Sequence, residues 1–340
     1  MLTVVLIFAG ALAFAIGGTP LAQRAAWRTG MTDAPAERKL HQRPTPLLGG
    51  LAIYVAAVAA LLLFGDRAEV TQLAGILIAA TLVSFLGLWD DRRPLRPAVK
   101  LAGQLAAVGL LVVTGVRVQC CGDAAVDLAV TVLWVVAITN ALNFMDNMDG
   151  LAGGVAAIAA AYIMLLALVN GQQLVAPLAA AVLGACVGFL LYNFNPARIF
   201  MGDGGSLFLG LVLAALAIKL RFPGQPVAAT WMVPVLVLAV PLFDLALVVV
   251  SRVRRRVNPF TTAGMDHLSH RLVALGLTHR ESALAIYLLA CAAGGLAFFV
   301  SVADIATSWL VVSGTAALGL FGLWRLEFAS DAPGERGERT

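Results

Sequence analysis

Carboxylates, carboxamides and basic side chains recur in this chain at spacings that suit chemistry. Asp90 and Asp91 stand together in Gly-Leu-Trp-Asp-Asp-Arg-Arg, and Asn140, Asn143, Asp146 and Asp149 follow one another every three residues. Asp203 lies in Met-Gly-Asp-Gly-Gly-Ser, while Asp266, His267, His270 and Arg271 share one short stretch after Asn-Pro-Phe260. Acidic groups interleaved with cations point to a bound cation and a polyanionic substrate. On a helix, three-residue spacing puts consecutive members on adjoining parts of one face. Asn140 and Asn143 close an otherwise apolar run, where polar side chains are costly unless they face a cavity. Interhelical hydrogen bonding is the bland alternative, and it suits one asparagine better than four oxygen-bearing side chains in series.

Asp90 and Asp91 follow an apolar run whose helical C-terminus disfavours carboxylates, so either Arg92 and Arg93 neutralise a solvated loop or the pair has work to do. Lys100 opens the next apolar run, where it and the exposed amides suit a phosphate. Gly202, Gly204 and Gly205 permit close backbone approach beside Asp203, and Ser206 is expected to cap the run that follows. A hard cation such as Mg²⁺, with Mn²⁺ as a substitute, takes oxygen ligands shared with substrate phosphates. Asp203 and Asn143 suit that role. His267 and His270 lack a His-Glu-x-x-His frame or a nearby cysteine, which argues against zinc and for charge-assisted phosphate binding with Arg271. Arg252 and Arg254–Arg256 read as a membrane anchor. Asp244 is an acid inside an apolar run, hence functional by default, with its role open.

The elements that must carry these residues are membrane helices. Of 340 residues 61% are hydrophobic and 12% charged, with 23 Lys and Arg against 19 Asp and Glu, and the mean hydropathy is +0.92. A soluble domain carries about twice that charged fraction. Crossing about 30 Å of hydrocarbon takes roughly 17 to 25 helical residues. Eleven apolar runs approach that length, near Leu2–Gly18, Gly49–Phe64, Val70–Trp89, Val99–Val116, Val126–Asn143, Ala152–Val169, Leu174–Tyr192, Ser206–Leu220, Ala229–Val250, Ala283–Val300 and Thr307–Trp324. The expected fold is therefore an all-α polytopic membrane protein of about 11 transmembrane helices.

Lys and Arg concentrate on the cytoplasmic side of short loops. With the N-terminus outside, inward segments hold 19 of them, and outward segments hold only Arg67, Arg117, Lys219 and Arg221. The C-terminus is then cytoplasmic, and every candidate site residue falls at the inner face. The first run lacks a basic leader and a clear cleavage pattern, so it reads as a retained helix. Residues 1–329 form one membrane domain and 330–340 a polar tail. Cys120 and Cys121 are adjacent, Cys186 and Cys291 lie within spans, and unpaired thiols are expected.

Five segments together resemble the polyprenyl-phosphate N-acetylhexosamine-1-phosphate transferases, the family that includes phospho-N-acetylmuramoyl-pentapeptide translocase and bacterial GlcNAc-1-phosphate transferases. They are Arg38-Lys39-Leu-His41 with Pro46 and Gly49-Gly50, Asp90-Asp91 with Lys100, Asn140 to Leu151, Asn193 to Ser206, and Asp266 to Leu272. The resemblance implies transfer of a sugar 1-phosphate from a UDP-sugar to undecaprenyl or another polyprenyl phosphate, releasing UMP, as the first membrane step of an envelope polysaccharide. By position it implies Asn143 and Asp203 as Mg²⁺ ligands and Asp146, Asp149, Asn193 and Phe200 as substrate contacts, the last three at uracil. Lys100, His267, His270 and Arg271 become phosphate contacts, and Asp90 and Asp91 the catalytic acid pair. Asn147 replaces a usual glycine. His-Leu-Ser-His-Arg lacks the three consecutive histidines of the muramoyl-pentapeptide branch, which favours a UDP-GlcNAc-like donor.

The same resemblance implies a plasma (inner) membrane location, lipid contacts and no nucleic-acid partner, and it leaves a homodimer open. A phosphate monoester has a second pKa near 6, so the acceptor is already nucleophilic, and positioning with charge screening matters more than proton removal. The acid pair then positions the acceptor or takes a residual proton, or Asp91 attacks covalently. A transporter is the rival of another class, but it would gather polar groups near the bilayer midplane.

Overall fold

The computed structural model describes residues 1–33, 44–65, 69–120, 122–259, 262 and 264–328. Arg38, Lys39, His41, Arg67, Cys121, Phe260 and the tail 330–340 lie outside the described residues.

Each apolar run is helical. In chain order the helices are α1 (Leu2–Thr29), α2 (Gly49–Phe64), α3 (Val70–Arg92), α4 (Pro97–Val113), α5 (Ala124–Met145), α6 (Leu151–Val169), α7 (Val175–Asn193) and α8 (Asp203–Lys219), then α9 (Val227–Thr230), α10 (Met232–Val237), α11 (Ala239–Arg254), α12 (Leu268–Ala274), α13 (His279–Val300) and α14 (Ile305–Glu327). Two-residue strands β1 (Thr32–Asp33) and β2 (Thr45–Pro46) pair antiparallel, Thr32 opposite Pro46. Local chemistry sets the ends. Gly30 at φ 70° stops α1, Asp123 caps α5, and Thr278 with Glu281 forms a capping box on α13.

Seven of these helices are long and apolar enough to cross a membrane, or eight if the bent pair Val227–Val237 and Ala239–Arg254 is one span. The chain is thus an all-α polytopic membrane protein. The shorter α2, with 16 residues, rises only about 24 Å. The apolar run near Ala229–Val250 is not one straight helix, because it bends by 71° between Val237 and Ala239. Pro241 has no N–H for the carbonyl four residues back, at Val237, and its ring crowds that turn.

At the centre stands α8, buried from Gly204 through Ile218. A helix apolar all round belongs inside a bundle. Its first turn is approached very closely by α2 and α3: a Cβ at Gly50 would lie 2.2 Å from the Gly205 nitrogen, and one at Gly87 2.4 Å from the Asp203 carbonyl carbon. Between apolar helices in lipid such close packing is a main cohesive force. The outermost helix, α14, exposes Leu310, Leu318, Leu320 and Phe321, as a lipid-facing element does.

Candidate active site

The close approach of α3 to α8 brings the acid pair to Asp203. Asp91 accepts hydrogen bonds from the backbone N–H of Asp203 (2.9 Å) and of Gly204 (3.2 Å). It therefore caps α8 from another helix, while burial and the nearby Asp203 charge push its carboxyl up to about 7. Ser206 is not the cap. It lies inside the first turn and donates to the Gly202 carbonyl at 3.1 Å, because Gly202, at φ 72°, takes the cap position without a side chain.

Lys100, in the first turn of α4, donates to Asp203 at 2.6 Å and to Asp90 at 2.9 Å. Asp90 also accepts the Leu95 N–H at 2.6 Å, which shapes the α3–α4 loop. From α5, Asn143 donates to Asp203 at 2.9 Å and to the Ser206 hydroxyl at 3.0 Å. Asp90, Asp91, Lys100, Asn143 and Asp203 thus form one constellation. Asn140 does not join it: its amide pairs with Gln104 at 2.7 and 3.3 Å, the interhelical role.

Beyond α5 the turn to α6 carries two acids of different character. Asp149 accepts from Asn195 (3.0 Å) and from the Ala197 N–H (2.9 Å), and so fixes the loop after α7. Buried Asn193 accepts the Gly150 N–H (3.0 Å) and donates to the Ile199 carbonyl (2.9 Å). The Phe200 backbone bonds Pro46 and Gly49, and its ring is half-buried. Half-buried Asp146 accepts no hydrogen bond from any described residue. Burial, then the charges of Asp203, Asp91 and Asp149, pushes its carboxyl up to about 8.

The histidine segment is held from α11. Asp244 accepts the Leu268 N–H at 2.7 Å and faces His267 Nδ1 at 2.8 Å. The His267 ring lies edge-on to Phe144 and to His270, with centroids 6.3 and 6.1 Å apart. Burial and neighbouring His267 push the His270 imidazole below its ordinary range. Ser269 donates to Asn147 at 2.7 Å, which ties this segment to the turn after α5. Asn147 has no left-handed backbone, so the turn does not require the glycine it replaces.

One sequence reading changes here. Arg252 is not a surface anchor: it is 3% exposed and donates to Asp266 at 3.0 Å and to the Pro259 carbonyl, and Arg255 holds the same Asp266. Arg271 is committed to the protein, donating to the Asp266 carbonyl at 3.0 Å and pairing with Glu327 and the Leu326 carbonyl. Sequence reasoning missed Glu327, 2% exposed, which also pairs with Arg254 at 2.9 Å. Its signal was a lone acid at a helix C-terminus, against the dipole.

Among the described residues no three His, Cys, Asp or Glu side chains form a ready metal cage. That donor set fits Mg²⁺, which is usually bound through one or two carboxylates with the remaining positions left to water and substrate phosphates. Asp203 and Asn143 would supply oxygens to it, and Asp146, which accepts no hydrogen bond from any described residue, is a further carboxylate near Asp203.

The profile of glycosyl transferase family 4 matches residues 73–221, from α3 to the end of α8. A probable undecaprenyl-phosphate N-acetylglucosaminyl 1-phosphate transferase of Bacillus subtilis (strain 168) is 36% identical over 323 residues, 91% of this chain and 87% of that protein. The decaprenyl-phosphate N-acetylglucosaminephosphotransferase of Mycobacterium tuberculosis (strain CDC 1551 / Oshkosh) is 34% identical, over 86% of this chain and 82% of its own length. A phospho-N-acetylmuramoyl-pentapeptide-transferase of Desulforudis audaxviator (strain MP104C) is 38% identical, over only 55% of this chain and 66% of its own. With near-full-length identity to the first two, and with the matched segment spanning the helices that meet at Asp203, the chain belongs to glycosyl transferase family 4.

Proposed function

We propose that this chain transfers N-acetylglucosamine 1-phosphate from its UDP-linked form to a polyprenyl phosphate, releasing UMP and leaving a lipid diphosphate sugar. The observation that carries this reading is Asp203, with Lys100 and Asn143 on its two oxygens and Asp146 unpartnered nearby. It is a polar centre suited to a cation and a diphosphate. Near-full-length identity to N-acetylglucosamine 1-phosphate transferases supports the choice of sugar.

The acceptor phosphate, with a second pKa near 6, attacks as a dianion. Its oxygen bonds to the β-phosphorus of the donor, the bond from that phosphorus to the bridging oxygen breaks, and the electron pair leaves on UMP. Lys100 turns from Asp90 and Asp203 to a phosphate oxygen, and His267 and His270 donate to the two anions. Asp203 and Asn143 hold Mg²⁺, with Mn²⁺ as a substitute, which when bound screens the diphosphate and stabilises charge on the leaving group. Asp146, Asp149, Asn193 and Phe200 form the donor side, with uracil against Phe200. Asp90 orients Lys100. With both oxygens of Asp91 on backbone amides, direct attack is favoured over a covalent aspartyl intermediate. Residues 1–329 act as one domain in the plasma membrane, crossing it eleven times with the shorter α2, α4 and α8 as spans. The N-terminus is outside and the site faces the cytoplasm.

The test is transfer by purified protein in detergent, with polyprenyl phosphate and radiolabelled UDP-GlcNAc, UDP-GalNAc or UDP-MurNAc-pentapeptide. Labelled lipid and stoichiometric UMP are expected from UDP-GlcNAc. Product from the pentapeptide donor alone would overturn the assignment in favour of the muramoyl reaction. No donor-dependent UMP release would leave a transporter.

A further inference from the structure

Asp244 has no part in the steps above, yet its setting is unusual for a carboxylate inside an apolar helix. It is 2% exposed, and both of its oxygens are directed at the histidine segment: Oδ1 accepts the Leu268 N–H at 2.7 Å, and Oδ2 faces His267 Nδ1 at 2.8 Å. An ionised carboxylate accepts only, so Nδ1 carries the proton and donates. His267 is itself 6% exposed and wedged between Phe144 and His270. Among the described residues nothing bonds its Nε2, and that atom is not one of the polar atoms sealed from solvent. One nitrogen is anchored and the other is left open, on a ring held against the residue that follows Asn143.

We infer that Asp244 is a positioning residue for the transfer reaction: it fixes His267 in the Nδ1–H form with Nε2 uncommitted and turned over to a substrate phosphate. A carboxylate behind a histidine sets both its tautomer and its orientation. Nε2 in this form donates to a phosphate oxygen only after taking up a proton, and the charge so formed lies against the Asp244 carboxylate. The second oxygen, by capping α12, fixes where the ring begins. The inference rests on the proposed transfer activity for its kinetic part, but the tautomer is a property of the protein alone.

The chain has four histidines, His41, His267, His270 and His279, so ¹⁵N-histidine labelling of the detergent-solubilised protein gives a spectrum small enough to assign. The His267 signal is identified by its loss in His267→Gln. Recorded at a pH where the rings are neutral, the wild-type signal is expected to show the Nδ1–H tautomer. Asp244→Asn keeps an oxygen for the Leu268 N–H but turns an amide donor toward Nδ1, so the signal should move to the Nε2–H pattern. kcat should fall by roughly 10- to 100-fold, the usual cost of losing such an outer carboxylate, with KM for the UDP-sugar little changed. A wild-type Nε2–H tautomer overturns the inference without any variant having to fold. So does a kcat loss with the tautomer unmoved, which would mark Asp244 as merely structural, or a moved tautomer with unchanged kcat. Absence of transfer activity in a wild-type protein with the expected tautomer would count against the proposed function and against a reaction role for Asp244, while leaving the geometry in place.

Discussion

Asp203 is the residue on which the site turns, and its surroundings argue for two different substitutions. Asn at this position keeps an oxygen and an approximate shape, but loses the charge that Lys100 and a cation require. Asp203→Asn is expected to lower kcat by about 100-fold or more with little loss of fold, and Asp203→Ala to abolish transfer. Wild-type turnover and Mg²⁺ dependence in a folded Asp203→Ala protein would remove it from the site. Asp146 has the opposite problem, too few partners. Its folded-state pKa of about 8 lies above the ordinary carboxylate value of 3.8. The folded protein therefore holds a proton that the unfolded chain has released, and stability falls as pH rises from about 4 through about 8. Without substrate or divalent cations, Asp146→Asn should stabilise the protein at pH 8 and be nearly neutral near pH 4. Because the side chain is half-open, solvent reduces the gain to on the order of 1 kcal/mol, a few degrees in Tm. Equal Tm differences at the two pH values would show that the carboxyl is not perturbed. The residues of this site were legible as chemistry, but not their division of labour. Asp149, Asn193 and Arg271 are residue types a substrate contact needs, and in the folded chain they also hold loops, through partners 43 to 56 residues away.

At the scale of elements, the site is the meeting of four helix ends, and α8 is the one whose start must not move. Hydropathy found these helices because lipid exposure and burial both demand apolar residues: the run Gly49–Phe64 and helix α2 coincide end to end. Hydropathy carries no angle, so the 71° bend before Ala239 was invisible to it, although Pro234 and Pro241 were in view. Nor does it say that α8 is the buried centre and α14 the exposed edge, since both are apolar. The cap on α8 is equally non-local, coming from Asp91, 112 residues before Asp203. Below about pH 7, where the Asp91 carboxyl is not forced to ionise against Asp203, Asp91→Ala removes both hydrogen bonds and should cost about 0.5 to 2 kcal/mol, the range for losing a helix cap. Asp91→Asn keeps one acceptor and should cost less. Thermal unfolding of the two variants, with bound cation excluded, reads this directly. The same Tm in Asp91→Ala as in the wild type would mean that the carboxylate does not support α8, and would return it to the role of a reacting group.

For the whole molecule, the question is which face of the bilayer the site opens to. The constellation around Asp203, the turn after α5 and the histidine segment all lie in segments that alternate to the same side, so one orientation fixes all of them together. The positive-inside rule predicts that side to be the cytoplasm, because all the segments that alternate to it together hold 19 Lys and Arg against 4 in the others. Some of those cations are not free to act as topological signals in the folded protein, since Arg252 is buried against Asp266 and half-buried Arg271 is paired with Glu327. Insertion, however, precedes that pairing, and the whole count applies during it. Two exposed positions give a clean readout in a protein whose native cysteines have been replaced: Gln173, in the short connection before α7, and Leu275, just past α12. In intact cells, or in spheroplasts if an outer membrane is present, a membrane-impermeant maleimide should label Gln173→Cys. It should reach Leu275→Cys only after permeabilisation, and both variants should retain transfer activity. The reverse pattern would invert the topology and place the site on the outer face, away from a cytoplasmic nucleotide donor. Labelling of both positions from outside would mean that the spans between them do not alternate as the charge distribution requires.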